Sequence, residues 1–221
     1  MGNKLKALFE LDGSLLSFLK KIGWVFLINL LFLATAFPVV TIGPATAGMY
    51  AVYRKLIEER EFAFFGDYFR TFGKKFGKAA GLGMLALLVC AVLVIDVWYV
   101  FTAMHGASGV VMKIGVVLLC IAACAYINAL FPFLAWREQP VRELLTGAAL
   151  TLARHPLLAL ESVLFSLIIF GGSGAIIYFG WYGGLFILFP FLSFGLHGFM
   201  QSYLFKAMEQ EPAGDDETEE M

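Results

Sequence analysis

The chain has 221 residues, of which 60% are apolar and only 15% charged, and its mean hydropathy is +0.82. So few charged groups cannot coat a soluble globule of this size, and the 23 phenylalanines point to lipid as the solvent of much of the surface. Sixteen Lys and Arg nearly cancel seventeen Asp and Glu, so net charge names no partner, whereas the placement of charges along the chain is informative.

The first apolar run, about 22–42, is long enough at 1.5 Å per residue to cross a hydrocarbon core of roughly 30 Å. It starts late and ends in Phe37-Pro38 rather than in small-residue cleavage chemistry, so it reads as a span and not as a signal peptide. A polar stretch follows whose periodicity predicts two amphipathic helices on the membrane surface, about 44–60 and 62–78. In the first, Pro44 suits the opening turn, and Met49, Val52, Tyr53, Leu56 and Ile57 make an apolar stripe beside Arg54 and Lys55. In the second, Phe65, Tyr68, Phe69, Phe72 and Phe76 share one stripe, with Arg70, Lys74, Lys75 and Lys78 beside it. Tyr53, Arg54, Phe65, Phe69, Phe72, Lys74 and Lys75 are therefore candidate contacts to the membrane surface or to a protein partner. Nucleic acid is not an expected partner, because no loop or strand platform accompanies the aromatic residues.

Two further runs, about 79–104 and 110–136, predict a helical hairpin turning at His105 to Gly109. A third surface helix is expected over about 140–152, and a second hairpin over 157–180 and 183–205, turning at Trp181 and Tyr182. The last stretch, 207–221, carries seven acids and no base from Glu209 on, which predicts a disordered acidic tail. The four tryptophans, Trp24, Trp98, Trp136 and Trp181, all fall near span ends, as indole rings do at membrane interfaces. The expected fold is thus an all-α integral membrane protein. Residues 1–206 form a single membrane domain, a five-span helical bundle with amphipathic cytoplasmic interfacial helices.

Of the basic residues, four precede span one, seven lie in 43–78, three in 137–156, and Lys113 and Lys206 are single. With five spans, the positive-inside rule favours a cytoplasmic C-terminus and an external N-terminus, which puts eleven basic residues inside and five outside. Lys4, Lys6, Lys20 and Lys21 would also prefer the cytoplasm, and they reach it only if span one is re-entrant or interfacial.

The segment Thr41-Ile-Gly-Pro-Ala-Thr-Ala-Gly-Met-Tyr50, followed by a charged helix and by Phe64-Phe-Gly-Asp-Tyr-Phe-Arg70, resembles the YesL family of bacterial membrane proteins, domain-of-unknown-function family 624. Leu144 to Pro156, ending in Arg154-His155-Pro156, is similar to a second stretch of that family. The resemblance implies a multi-span protein of the bacterial cell membrane. It also implies a setting beside carbohydrate-uptake ABC transporters, hence permease or ATPase subunits as partners. It supplies no catalytic residue.

Ionisable and amide groups inside spans are costly and mark functional or structural sites. His197 shares a helical stripe with Ser193 and Gln201, and Glu161 is expected at the same depth as Gln201 on the preceding span. With Asn128 and Asn29 they form a candidate polar path, whose bland use is hydrogen bonding between helices. Asp96 is expected near the far interface, hydrated. Cys90, Cys120 and Cys124 lie in apolar runs without metal-ligand spacing. There is no phosphate-binding loop and no metalloprotease motif. No enzyme activity and no cofactor are expected. The leading expectation is an accessory or interaction subunit of a carbohydrate-uptake ABC transporter, and the alternative is a small independent transporter using the polar path.

Overall fold

The computed structural model describes residues 2–61, 63–179 and 185–210, with side-chain surroundings described for these except 2–18, 158, 169–194 and 208–210. The described residues are helical almost throughout. The helices are α1 (Gly2–Ala36), α2 (Ile42–Ile57), α3 (Phe64–Lys74), α4 (Phe76–Ala103), α5 (Gly106–Trp136), α6 (Val141–Arg154), α7 (Pro156–Phe179) and α8 (Leu185–Gln210), with a 3-10 turn over Val39–Thr41. Among the described residues, three stretches are long and apolar enough to cross a membrane: Leu19–Ala36, Phe76–Ala103 and Gly106–Trp136. A fourth arises if Val141–Arg154 and Ala159–Ile168, bent by 96°, count as one span. The predicted turn at Trp181 to Gly183 and most of the tail 207–221 lie outside the described residues.

Local chemistry sets the boundaries. The first span ends at Ala36, earlier than the expected 42. A proline disfavours helix in the residue before it, and Pro38 is extended, with φ −75° and ψ 128°. The α4–α5 turn is tighter than expected, because Gly106 adopts φ +77°, a conformation that glycine takes without steric cost. The predicted helix over 62–78 is broken at Lys75, whose backbone leaves the helical region (φ −104°, ψ 7°); α3 stops there and α4 starts. Phe62 itself lies outside the described residues.

The largest departure concerns α2. Read from sequence as a surface helix, it is the hub on which α1, α3, α4, α5 and α8 converge. Ala45, Ala47, Met49, Tyr50, Val52, Tyr53 and Leu56 are all buried. The reason lies in its first two turns, Ile42-Gly-Pro-Ala-Thr-Ala-Gly48. With little side-chain bulk there, other backbones approach closely, the same device that packs helices inside membranes. A Cβ on Gly43 would sit 1.9 Å from the carbonyl oxygen of Ala79, and one on Gly83 would sit 2.8 Å from Gly43 Cα, so α2 and α4 cross glycine on glycine. Gly48 lies under the ring of Tyr68, whose hydroxyl is 2.6 Å from Thr35 Oγ1. On the far side, Gly198 of α8 seats Met49 and Tyr53.

The connection of α1 to α2 is short, and Lys21 Nζ meets Glu59 Oε1 at 2.8 Å, so α2 runs back alongside α1. The start of the first apolar stretch is thereby held next to the loop that follows α2. Helix α6 lies across α5 with Leu144 and Ala148 fully buried. There Gly147 faces the Phe133 ring, and Tyr126 donates to Leu145 O at 3.0 Å.

Candidate functional site

Two clusters hold the polar chemistry of the interior. The first joins α5, α7 and α8. Asn128 Nδ2 donates to Ser162 Oγ at 3.1 Å and to Ser166 Oγ at 2.7 Å. Ser166 Oγ donates to Ser162 O at 2.9 Å, and Gln201 Nε2 donates to the same carbonyl at 3.0 Å. Ser162, Ser166, His197 and Gln201 are all buried. Inside an apolar bundle a polar group needs a partner, and for Asn128, Ser162, Ser166 and Gln201 bonds between helices supply one.

This arrangement corrects the expected path. Gln201 does reach the depth of Glu161, but it bonds the backbone of Ser162, the next residue, while Glu161 lies on the exposed side of α7. One residue turns a helix by about 100°, so matched depth does not mean a matched face. Ser162 and Ser166 were missed. Their i, i+4 spacing on a mostly apolar helix was the signal available. His197 lies one turn from Gln201, on the wall of a cavity between α1, α2, α4, α5 and α8. Asn29 is buried elsewhere, where its side chain lies against Gly195 of α8. The side chain of Ser193 lies outside the described residues.

The second cluster caps α5. The last four carbonyls of an α-helix have no partner within it, and here each finds a donor. Phe133 O accepts from Arg137 N (3.0 Å), Leu134 O and Ala135 O accept from Lys75 Nζ (2.7 and 2.9 Å), and Trp136 O accepts from Arg54 Nη1 (3.4 Å). Lys75 also donates to Arg137 O at 2.8 Å, Lys78 to Gln139 O at 3.1 Å, and Lys74 pairs with Glu138. The positive charges gather where the helix dipole presents its negative end. Burial pushes the Lys75 ammonium below its ordinary value; Glu138 opposes that shift, and Lys74, Lys78 and Arg54 add to it. Next to the cap, Trp136 Nε1 donates to Tyr50 O at 3.0 Å, and the Arg54 guanidinium lies 5.0 Å over the Trp136 ring.

The candidate partner contacts therefore divide. Tyr53, Arg54 and Lys75 are internal fasteners: Tyr53 is fully buried and donates to Gly195 O at 3.1 Å, and the other two hold α5. Phe72 is half-buried against Tyr68 and Phe76. Phe65, Phe69 and Lys74 are exposed. The aromatic stripe thus splits at Tyr68, which turns inward.

Along α4 and α5 the usual arrangement of a soluble protein is inverted, because large apolar side chains face out. Val94 is 68% exposed, Val111 70% and Trp98 68%, a surface that only lipid or another apolar body can cover. No group of three or more metal-ligating side chains occurs among the described residues. Fold and surface together define a multi-pass α-helical membrane protein. Residues 25–97, running from α1 through most of α4, match the family model DUF624, described as a protein of unknown function; this is the family that the Thr41 to Tyr50 segment resembles. No curated protein and no solved structure matches the chain.

Proposed function

We propose that the chain is a non-enzymatic accessory subunit of the bacterial cell membrane, with five long helices inserted and α2 returning beside α1. The observation that carries this reading is the use made of the polar interior. Asn128, Ser162, Ser166 and Gln201 bond one another and the backbone, as structural fasteners do. A carrier reading draws on Glu161, and that carboxylate is on the exposed face of α7.

Orientation follows from charge and contact together. The Lys21–Glu59 pair supports an N-terminus on the same side as the 43–78 segment, opposite to the expectation from span counting. All basic residues except Lys113 then share one side, which the positive-inside rule assigns to the cytoplasm. The cytoplasmic face of the proposed subunit is formed by α3 and α6. Phe65, Phe69, Arg70 and Lys74 are exposed on it, a mixture of aromatic and basic groups suited to a protein partner or to anionic headgroups. The resemblance implies a carbohydrate ABC transporter as that partner.

Affinity purification of the tagged chain from native membranes in mild detergent tests this. The reading predicts co-purification of a permease or ATPase subunit, and no saccharide flux when the pure chain is reconstituted alone. Flux from the pure chain would overturn it.

A further inference from the structure

The short hub helix has a geometric consequence. Helix α2 begins at Ile42, beside Gly83 of α4, whereas α4 runs on to Ala103, about 30 Å further at 1.5 Å per residue. Beyond the glycine crossing, the crevice between α4 and α5 is left open by the short α2, and it widens into a cavity of about 1000 Å³. The volume is at the upper end of the range of small-molecule sites, roughly 300–1,000 Å³. Most of its walls come from stretches of α4 and α5 that carry the apolar, lipid-type surface, and α1, α2 and α8 close the rest. All three cysteines of the chain, Cys90, Cys120 and Cys124, line it, and so do Asn128 and His197.

An apolar space of this size is not stable as a void, since protein interiors tolerate few gaps larger than a water molecule, and water needs several polar partners to enter. The fluid next to these walls in a bilayer is lipid. The polar lining narrows the choice of lipid. The Asn128 amide nitrogen already donates to Ser162, Ser166 and, at 3.7 Å, Cys124 Sγ, so what it offers the cavity is the Oδ1 acceptor, and a matching head group must donate. His197, 6% exposed, adds an imidazole to the lining from α8.

We propose that this cavity binds a single-chain lipid with a hydroxyl-bearing head, its chain packed along α4 and α5 and its hydroxyl donating to Asn128 Oδ1. The probe is a monoacylglycerol with a diazirine on its chain, added to the full chain in phosphatidylcholine liposomes, with adducts located by peptide mapping. Adducts are expected within 83–98 and 120–131, on the cavity side. Excess monooleoylglycerol should suppress them, and methyl oleate, which has no hydroxyl, should compete about fivefold less well, the worth of one hydrogen bond. Ala123 and Ala86 line the cavity. Ala123→Phe or Ala86→Phe, each checked for unchanged helix content and elution, should remove the adducts. Leu118→Phe, at a position exposed on α5, should leave them. Adducts spread over the outer faces of α4 and α5 without competition, or equal competition by the methyl ester, would overturn the proposal.

Discussion

Replacing Lys75 with Met removes the ammonium that holds three carbonyls and leaves most of the side-chain volume in place. Leu134 is 1% exposed and Ala135 8%, so water does not readily replace the lost donor at these two; Arg137 is half-exposed and can be hydrated. A buried acceptor left without a partner costs roughly 1–3 kcal/mol, so two predict a loss of about 2–6 kcal/mol. The dipole interaction adds about 0.3–1 kcal/mol more. Lys78→Met is the internal control: its single bond to Gln139 O is exposed, and substitutions of that kind stay within about 0.5 kcal/mol. Thermal unfolding in detergent gives the difference, and hydrogen exchange should show faster exchange at 133–139 in the Lys75 variant alone. Lys75→Arg keeps the charge and should recover the dipole part but not the three convergent bonds, because a planar guanidinium fans its donors differently. Equal, small losses for Lys75→Met and Lys78→Met would refute the capping role.

Three further outcomes are expected. Gly43→Ala places a Cβ 1.9 Å from a backbone oxygen and should abolish the folded form, whereas Gly81→Ala, with nothing within 4 Å, should stabilise by up to about 1 kcal/mol through helix propensity; melting curves of the two distinguish them. Gln201→Leu should cost about 1 kcal/mol, the scale of an interhelical bond in a membrane, and Glu161→Gln should stay within about 0.5 kcal/mol, as read by unfolding in detergent. Burial pushes the Tyr68 phenol up to about 12. Above pH 10 the unfolded chain then ionises while the folded chain does not. The wild type should lose stability between pH 10 and 12, by up to about 2 kcal/mol more than Tyr68→Phe, and the two should run parallel below pH 10.

Helix positions were legible because hydropathy and period carry them. The runs at 79–104 and 110–136 correspond to α4 and α5 within a few residues. What hydropathy does not carry is which helix sits in the middle. A stripe from Met49 to Ile57 looks the same whether lipid or protein covers it, and the burial of α2 depends on glycines meeting glycines across elements at Gly43 and Gly83. The polar joint was half legible for a related reason. The depth of Gln201 could be counted from helix ends, but the face of α7 could not, so Glu161 stood in for Ser162. Lys75 read as a surface cation because its acceptors are carbonyls about sixty positions away, and backbone carbonyls leave no trace in a sequence.

The central claim is a multi-pass chain whose basic segments share the cytoplasmic face while the α4–α5 turn lies outside. In a variant with Cys90, Cys120 and Cys124 changed to Ala, single cysteines at His105, Lys20 and Gln139 can be challenged in intact cells with a membrane-impermeant maleimide. The account predicts labelling at position 105 alone, with positions 20 and 139 reacting only after permeabilisation. Labelling of 105 and 139 from the same side would mean that the α4–α5 hairpin does not cross, and opposite behaviour of 20 and 139 would contradict the return of α2 beside α1.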